Sequence, residues 1–281
     1  RNHHGTRCNV SKTVSPELRD ALKRLRLGRI LDTLSDRLLL AEQEELSFEE
    51  TLLRVLVDEI NRRQGSAAAR RAHDAHLAPD MVLERWDRSA SVQFDRKVFN
   101  ELCSLRFLQS HHNVVVLGPV GVGKTFIANA LGNLACRAGF KVRFQRADAL
   151  LRELRQSRLD NSRDDLMIEL TTIDLLIVDD FALEPMNRDE SRDVYQLIVE
   201  RNARASTIVT SNRDTSEWIA MFSDTLLAQS AVDRFKNTAF DLVVEGESYR
   251  PKMKPVVADN PSQAPVVKSD RRGHRRESSG S

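Results

Sequence analysis

Gly118-Pro119-Val120-Gly121-Val122-Gly123-Lys124-Thr125 is the stretch whose reading decides the fold. It fits G-x-x-x-x-G-K-[ST], a loop whose backbone wraps the phosphates of a nucleotide. Its glycines let successive N–H groups turn toward one anion. The run Asn113 to Leu117 ahead of it is apolar, as a buried strand is, and Ile127 to Ala138 behind it has helical spacing. A strand before and a helix after are the context the motif requires, and they argue against a chance glycine loop. The helix adds its positive N-terminus to the loop. Lys124 is then placed to reach the β- and γ-phosphates, and the Thr125 hydroxyl to hold Mg²⁺.

A second element supports the first. Asp174-Leu175-Leu176-Ile177-Val178-Asp179-Asp180-Phe181 is an apolar strand that ends in two carboxylates. Consecutive apolar positions mark a strand buried on both faces, as in a parallel sheet. Carboxylates at its C-terminal edge lie where open α/β sheets bind ligands. Asp179 is the expected Mg²⁺ ligand, and Asp180 the residue that polarises an attacking water.

Outward from these motifs the chain alternates. Helices are expected over 96–109, 147–155, 162–170, 189–203 and 225–235, and strands over 141–145, 206–211 and 240–244. Such alternation predicts an α/β fold, a mostly parallel sheet covered by helices. Upstream, residues 15–64 read as helical, with a capping box at Ser47-Phe48-Glu49-Glu50 opening a second helix. The expected organisation is a disordered N-terminus over 1–14, a small helical domain over 15–78, a linker over 79–95, an ATPase domain over 96–254, and a disordered basic tail over 255–281 that carries Arg271, Arg272, Arg275 and Arg276.

Bulk composition narrows the function classes. The chain has 281 residues, 41% hydrophobic and 30% charged, with a net charge of only +2. Bulk charge therefore does not mark a nucleic-acid binder, and a basic surface must come from local clustering. Lys23 or Arg24, Arg26, Arg29, Arg62, Arg63, Arg70 and Arg71 form such clusters. They read either as solvated helix faces or as a surface that contacts nucleic-acid phosphates. No run of about 18 apolar residues is present, so no membrane partner is expected. The opening Arg1-Asn2-His3-His4-Gly5 has neither an apolar signal region nor an initiator Met, and reads as a fragment or a translated-frame artefact. Cys8, Cys103 and Cys136 are too scattered for a disulfide frame or a zinc site, which fits a cytoplasmic protein.

Two more side chains complete the candidate site. Asn212 follows the strand at 206–211, where an amide can hydrogen-bond the γ-phosphate or its water. Arg234 sits near the end of a helix, and an arginine offered to a neighbouring subunit's nucleotide stabilises developing phosphate charge.

Taken together, Asn113 to Pro119 running into the phosphate loop, Leu175 to Asp180, Thr210-Ser211-Asn212-Arg213, Glu217-Trp218, Phe222-Ser223-Asp224, Asp233-Arg234 and Gly246 to Arg250 resemble the IstB-like family. These are ATPase helpers of bacterial insertion sequences, related to the DnaC helicase loader within the AAA+ ATPases. Glu44 to Glu50 also resembles that family's helical domain. The resemblance implies an AAA+ fold, ATP with Mg²⁺, slow hydrolysis, ATP-dependent homo-oligomers on double-stranded DNA, and a partner transposase that the ATPase stimulates or targets. It assigns Gly118 to Phe126 to the nucleotide, Thr125 and Asp179 to the metal, Asp180 to catalysis, Asn212 to sensing, Arg234 to the arginine finger and Arg250 to further sensing. At Asp180 the chain differs from AAA+ proteins in general, which carry Glu, although the IstB and DnaC branch shares the Asp-Asp pair; it departs from the family pattern itself at Val120, Phe126 and Lys236-Asn237-Thr238. A DnaC-like helicase loader is the alternative function. A small-molecule kinase is a third, disfavoured because no acceptor-binding lid is evident.

Overall fold

The computed structural model describes residues 14–87, 89 and 91–249. The expected basic tail, nearly all of the expected disordered N-terminus and Arg250 lie outside the described residues.

Three helices open the chain: α1 (Pro16–Arg24), α2 (Leu31–Gln43) and α3 (Phe48–Asp74). Ser47 caps α3 as the sequence predicts. Its hydroxyl accepts from the Glu50 amide, and the Glu50 carboxylate accepts from the Ser47 amide. The helix runs past the expected boundary at residue 64, through Gly65, to Asp74. The reason is tertiary. Its last turns pack on the body of the molecule, where Ala72, Ala75 and Leu77 join the main core, and Arg71 Nε donates to the Cys136 carbonyl.

Next come the short strand β1 (Val92–Gln93), α4 (Arg96–Cys103) and α5 (Arg106–Gln109). The sequence predicts one helix over 96–109, and the structure breaks it at Leu105, whose φ is +59°. Leu102, Leu105, Phe107 and Leu108 are all buried. That set is wider than one face of a straight helix, so the chain rotates to bury it.

The body follows as β2 (Asn113–Leu117), α6 (Lys124–Arg137), β3 (Val142–Arg146), α7 (Ala147–Leu159), α8 (Arg163–Thr172), β4 (Leu175–Asp179), α9 (Arg188–Arg201), β5 (Ser206–Ser211), α10 (Thr215–Trp218), α11 (Thr225–Lys236), β6 (Ala239–Val243) and β7 (Glu245–Gly246). The main sheet has five strands in the order β3-β4-β5-β2-β6, and every neighbouring pair is parallel. Every residue of β4 and β5 is buried, because helices cover both faces. One core layer gathers Leu150, Leu154, Val178, Leu197 and Trp218. The other gathers Leu102, Ile127, Leu131, Ile177 and Ile208. Arg201 is a buried cation in this body, and its guanidinium donates to Thr207 Oγ1 and to the carbonyls of Leu170, Ile173 and Ser206. Burial pushes its pKa down to about 10. Among the described residues no helix is long and apolar enough to cross a membrane.

Candidate active site

The strand order sets the site. β5 lies between β2, which leads into the phosphate loop, and β4, which carries the carboxylates. The C-terminal ends of three neighbouring parallel strands therefore meet at one place.

The phosphate loop is tightly walled. Gly121 has φ +89°, and a methyl group there would overlap the Ser248 side chain. Gly118 has φ +152°, and a methyl group there would overlap the Val244 carbonyl. Only glycine meets both demands, a positive φ and no side chain. Residues 244–249 form the wall: Val244 N donates to Leu117 O at 2.7 Å, and Tyr249 N to Gly121 O at 2.9 Å. Lys124 Nζ turns into the loop and donates to the carbonyls of Gly118 at 2.7 Å and Pro119 at 2.8 Å. Val122 is buried, whereas Val120 at the loop's tip is exposed.

The structure brings Thr125 and Asp179 together. Thr125 Oγ1 lies 3.0 Å from both carboxylate oxygens of Asp179. Hydroxyl and carboxylate oxygens are hard donors of the kind Mg²⁺ takes, with phosphates and waters supplying the remaining positions. Among the described residues no cluster of three or more His, Cys, Asp or Glu forms an all-protein metal cage. Burial, above all, raises the Asp179 pKa from its ordinary value, and the neighbouring Asp180 charge adds to this. The hydroxyls of Thr210 and Thr125, and Arg146, oppose it.

Asp180 sits one residue beyond β4 in a left-handed conformation, φ +55°. Arg146, at the end of β3, places Nη1 3.6 Å from Asp180 Oδ2. The Asp180 carboxyl opens onto a cleft of about 450 Å³ whose lining includes Arg146, Arg155, Met186 and Glu190, which gives water a route to it.

Asn212 stands exposed just past the end of β5. Arg234 is exposed on α11, with Nη1 hydrogen-bonded to Ser230 Oγ and 3.5 Å from Tyr195 Oη on α9. Its position on an outer helix face suits presentation to another molecule.

The structure adds residues that sequence reasoning passed over. Trp86, within the stretch over 79–95 that reads as a linker, packs against Gly123 of the phosphate loop. Trp86 meets Phe126 edge-on with ring centroids 5.3 Å apart. β1 pairs antiparallel with β7, so segments far apart in sequence close over the loop together. Trp86, Asp87, Val92, Val122, Gly123, Phe126 and Tyr249 line a mostly apolar cavity of about 100 Å³. The sole sequence signal was a large aromatic in a segment without periodicity. Cys103 and Cys136 take no part in the site. Burial raises both thiols, that of Cys136 to about 11.

A family model described as IstB-like ATP binding protein matches residues 20–256. A Mycobacterium tuberculosis protein named as an ATP-binding protein in an insertion sequence is 35% identical over 85% of this chain and 96% of its own length. A Pseudomonas aeruginosa protein named for the insertion sequence IS21, likewise as ATP-binding, is 36% identical over 85% of this chain and 90% of its own. Among solved structures, the replication initiator DnaA bound to AMPPCP and single-stranded DNA is similar at a TM-score of 0.50 and 22% identity, over 61% of this chain and 51% of that one. That last likeness is one of fold.

Proposed function

The chain belongs to the family of IstB-like ATP binding proteins, and on that premise we propose that this AAA+ ATPase serves an insertion sequence by assembling on double-stranded DNA and stimulating or targeting the partner transposase. The observation that carries the ATPase chemistry is the meeting of Thr125 with Asp179 at 3.0 Å beside the phosphate loop. Insertion-sequence relatives that match 85% of the chain favour transposition over helicase loading.

In this reading the loop's amides and Lys124 hold the phosphates, and Trp86 and Phe126 flank the base. Thr125 and Asp179 would hold Mg²⁺, which would supply positive charge to offset the charge that develops on the phosphates. Asp180 accepts a hydrogen bond from the attacking water and turns it toward the phosphorus, while Asn212 contacts the γ-phosphate from the end of β5. Arg234 acts on the nucleotide of the next subunit in a homo-oligomer, where its charge is worth most as the phosphoryl group departs. An Asp at position 180 is one methylene shorter than Glu, which fits slow hydrolysis. The exposed basic residues of the N-terminal helices supply phosphate contacts to DNA.

Light scattering of the purified protein with duplex DNA tests the proposal. Large DNA-bound assemblies that form only with ATP and Mg²⁺ are expected. ATP binding without duplex-dependent assembly would turn the reading toward a helicase loader.

A further inference from the structure

Thr210 has no exposed surface and lies in β5, two residues before Asn212. A buried hydroxyl has one hydrogen to donate and two lone pairs, and this one uses both capacities on the site. Thr210 Oγ1 donates to Asp179 Oδ1 at 2.6 Å and accepts from the Asp180 amide at 3.0 Å. The direction of each bond is fixed, because a carboxylate can only accept and an amide N–H can only donate.

The surrounding strand end continues the grip. Phe181 N donates to the Thr210 carbonyl at 2.9 Å, and Ser211 Oγ donates to the Phe181 carbonyl at 2.9 Å. Asp180 and Ala182, neither of them glycine, are held at φ +55° and +61° within this turn. Such conformations persist where neighbouring bonds over-determine them. The other buried threonine of β5 behaves differently, since the Thr207 hydroxyl accepts from Arg201 Nε within the core. Thr210 alone in that strand spends its hydroxyl on the two carboxylate-bearing residues.

We infer that Thr210 is a positioning residue for hydrolysis: its hydroxyl fixes the Asp179 carboxylate for the metal and, through the Asp180 amide, the direction from which the Asp180 carboxylate meets water. Thr125 grips Asp179 from the helix side and Thr210 from the sheet side. Valine has the same shape and offers neither bond. The inference rests on the reading of Thr125 and Asp179 as Mg²⁺ ligands, and not on the DNA or transposase reading.

The test uses the full chain with Thr210→Val and Thr210→Ser. Binding of a non-hydrolysable ATP analogue without divalent ion gives each protein its reference. Mn²⁺ binding to the nucleotide-loaded protein is then followed by electron paramagnetic resonance, and the Mg²⁺ dependence of turnover is read alongside. Loss of a hydrogen bond to a charged group predicts Mn²⁺ affinity in T210V lower by roughly tenfold or more, with T210S within about threefold of the parent. Parent-like Mn²⁺ affinity in T210V overturns the inference. So does a T210S as weak as T210V, which would make the methyl group the cause. If T210V does not fold, Thr210→Cys takes its place, with an intermediate Mn²⁺ affinity expected and a parent-like one overturning. A parent protein that binds nucleotide but no Mn²⁺ would overturn the metal-ligand reading itself, a result distinct from the others.

Discussion

Val114, Val115 and Val116 of β2 have no exposed surface, whereas Phe48 of α3 is 84% exposed and Leu53 60%. In the sheet body, apolar side chains are covered from both faces, and buried polar groups such as Arg201, Asn113 and Thr210 are hydrogen-bonded within it. In the N-terminal helices the inner cluster is small, built on Ile30, Leu34 and Val55, and the elements are joined by ion pairs nearer the surface, such as the paired contacts of Arg37 with Asp58 at 2.6 and 2.9 Å. Only the far end of α3 enters the main core. The difference teaches where geometry can be held tightly. Close packing on all sides fixes rotamers, so hydroxyl and carboxylate groups that must meet to within a few tenths of an ångström are found at the strand ends. Phosphate contacts to DNA tolerate looser placement, since they act mainly through charge.

The largest effect expected is a break of the body itself. Arg201→Ala leaves three buried carbonyls and the Thr207 hydroxyl without their donor. Each buried group left unpaired carries a penalty, so the variant should lose roughly 3 kcal/mol or more of stability. Urea denaturation reads the loss directly. A variant as stable as the parent would mean that the body's polar interior is not what locks β5 to α8 and α9.

Asp179→Asn sharpens the comparison from the other side, because it asks whether the body gives up stability for its site. The folded Asp179 carboxyl is raised above its unfolded value, chiefly by burial. For an acid this means the charged form is disfavoured in the fold: the penalty is present at neutral pH and is released as pH falls through the folded value toward the unfolded one. A neutral Asn can still accept from Thr210. The variant should therefore melt higher than the parent at pH 7 without nucleotide, and the gap should close on acidification. Metal-ion stabilisation is worth several kcal/mol, so turnover should fall about a hundredfold or more. A lower melting point would show that the carboxylate is a net stabiliser of the fold.

Much of this contrast was legible in the amino-acid sequence, and the reasons are physical. Strands buried on both faces appear as unbroken apolar runs, so β2, β4 and β5 could be read residue by residue. The phosphate loop announces itself because its glycines have no substitutes. The break at Leu105 carries no Gly or Pro, since burial of a wide apolar set, not local propensity, drives it. Trp86 could not be placed because its partner Phe126 and the pairing of β1 with β7 are contacts between distant segments. Thr210 was hidden in plain view, since a β-branched residue in a strand needs no special explanation until its hydroxyl is seen to reach two carboxylate-bearing neighbours.

The smallest effect concerns the N-terminal helices, where charge is the variable. Arg62 and Arg63, which the sequence offers as candidate phosphate contacts, both turn toward Glu59. Arg62 Nε and Nη2 donate to its carboxylate at 2.7 and 2.8 Å, and Arg63 Nε at 2.6 Å. Hydrogen bonds from the two arginines hold the Glu59 pKa down to about 2. Its contribution to stability is therefore present above the unfolded value, near 4.5, and is lost as pH falls toward 2. At neutral pH the carboxylate would compete with any nucleic-acid phosphate for the same guanidinium groups. Glu59→Gln removes that competitor and keeps the side chain's shape. If these arginines contact DNA, duplex affinity should rise by about twofold to fivefold, since the arginine side chains are themselves about half exposed, and the slope of log affinity against log salt should steepen by up to about one. Fluorescence anisotropy across a salt series measures both. An unchanged affinity and slope would move the DNA contact off this face of α3 and leave Arg62 and Arg63 as Glu59's partners alone.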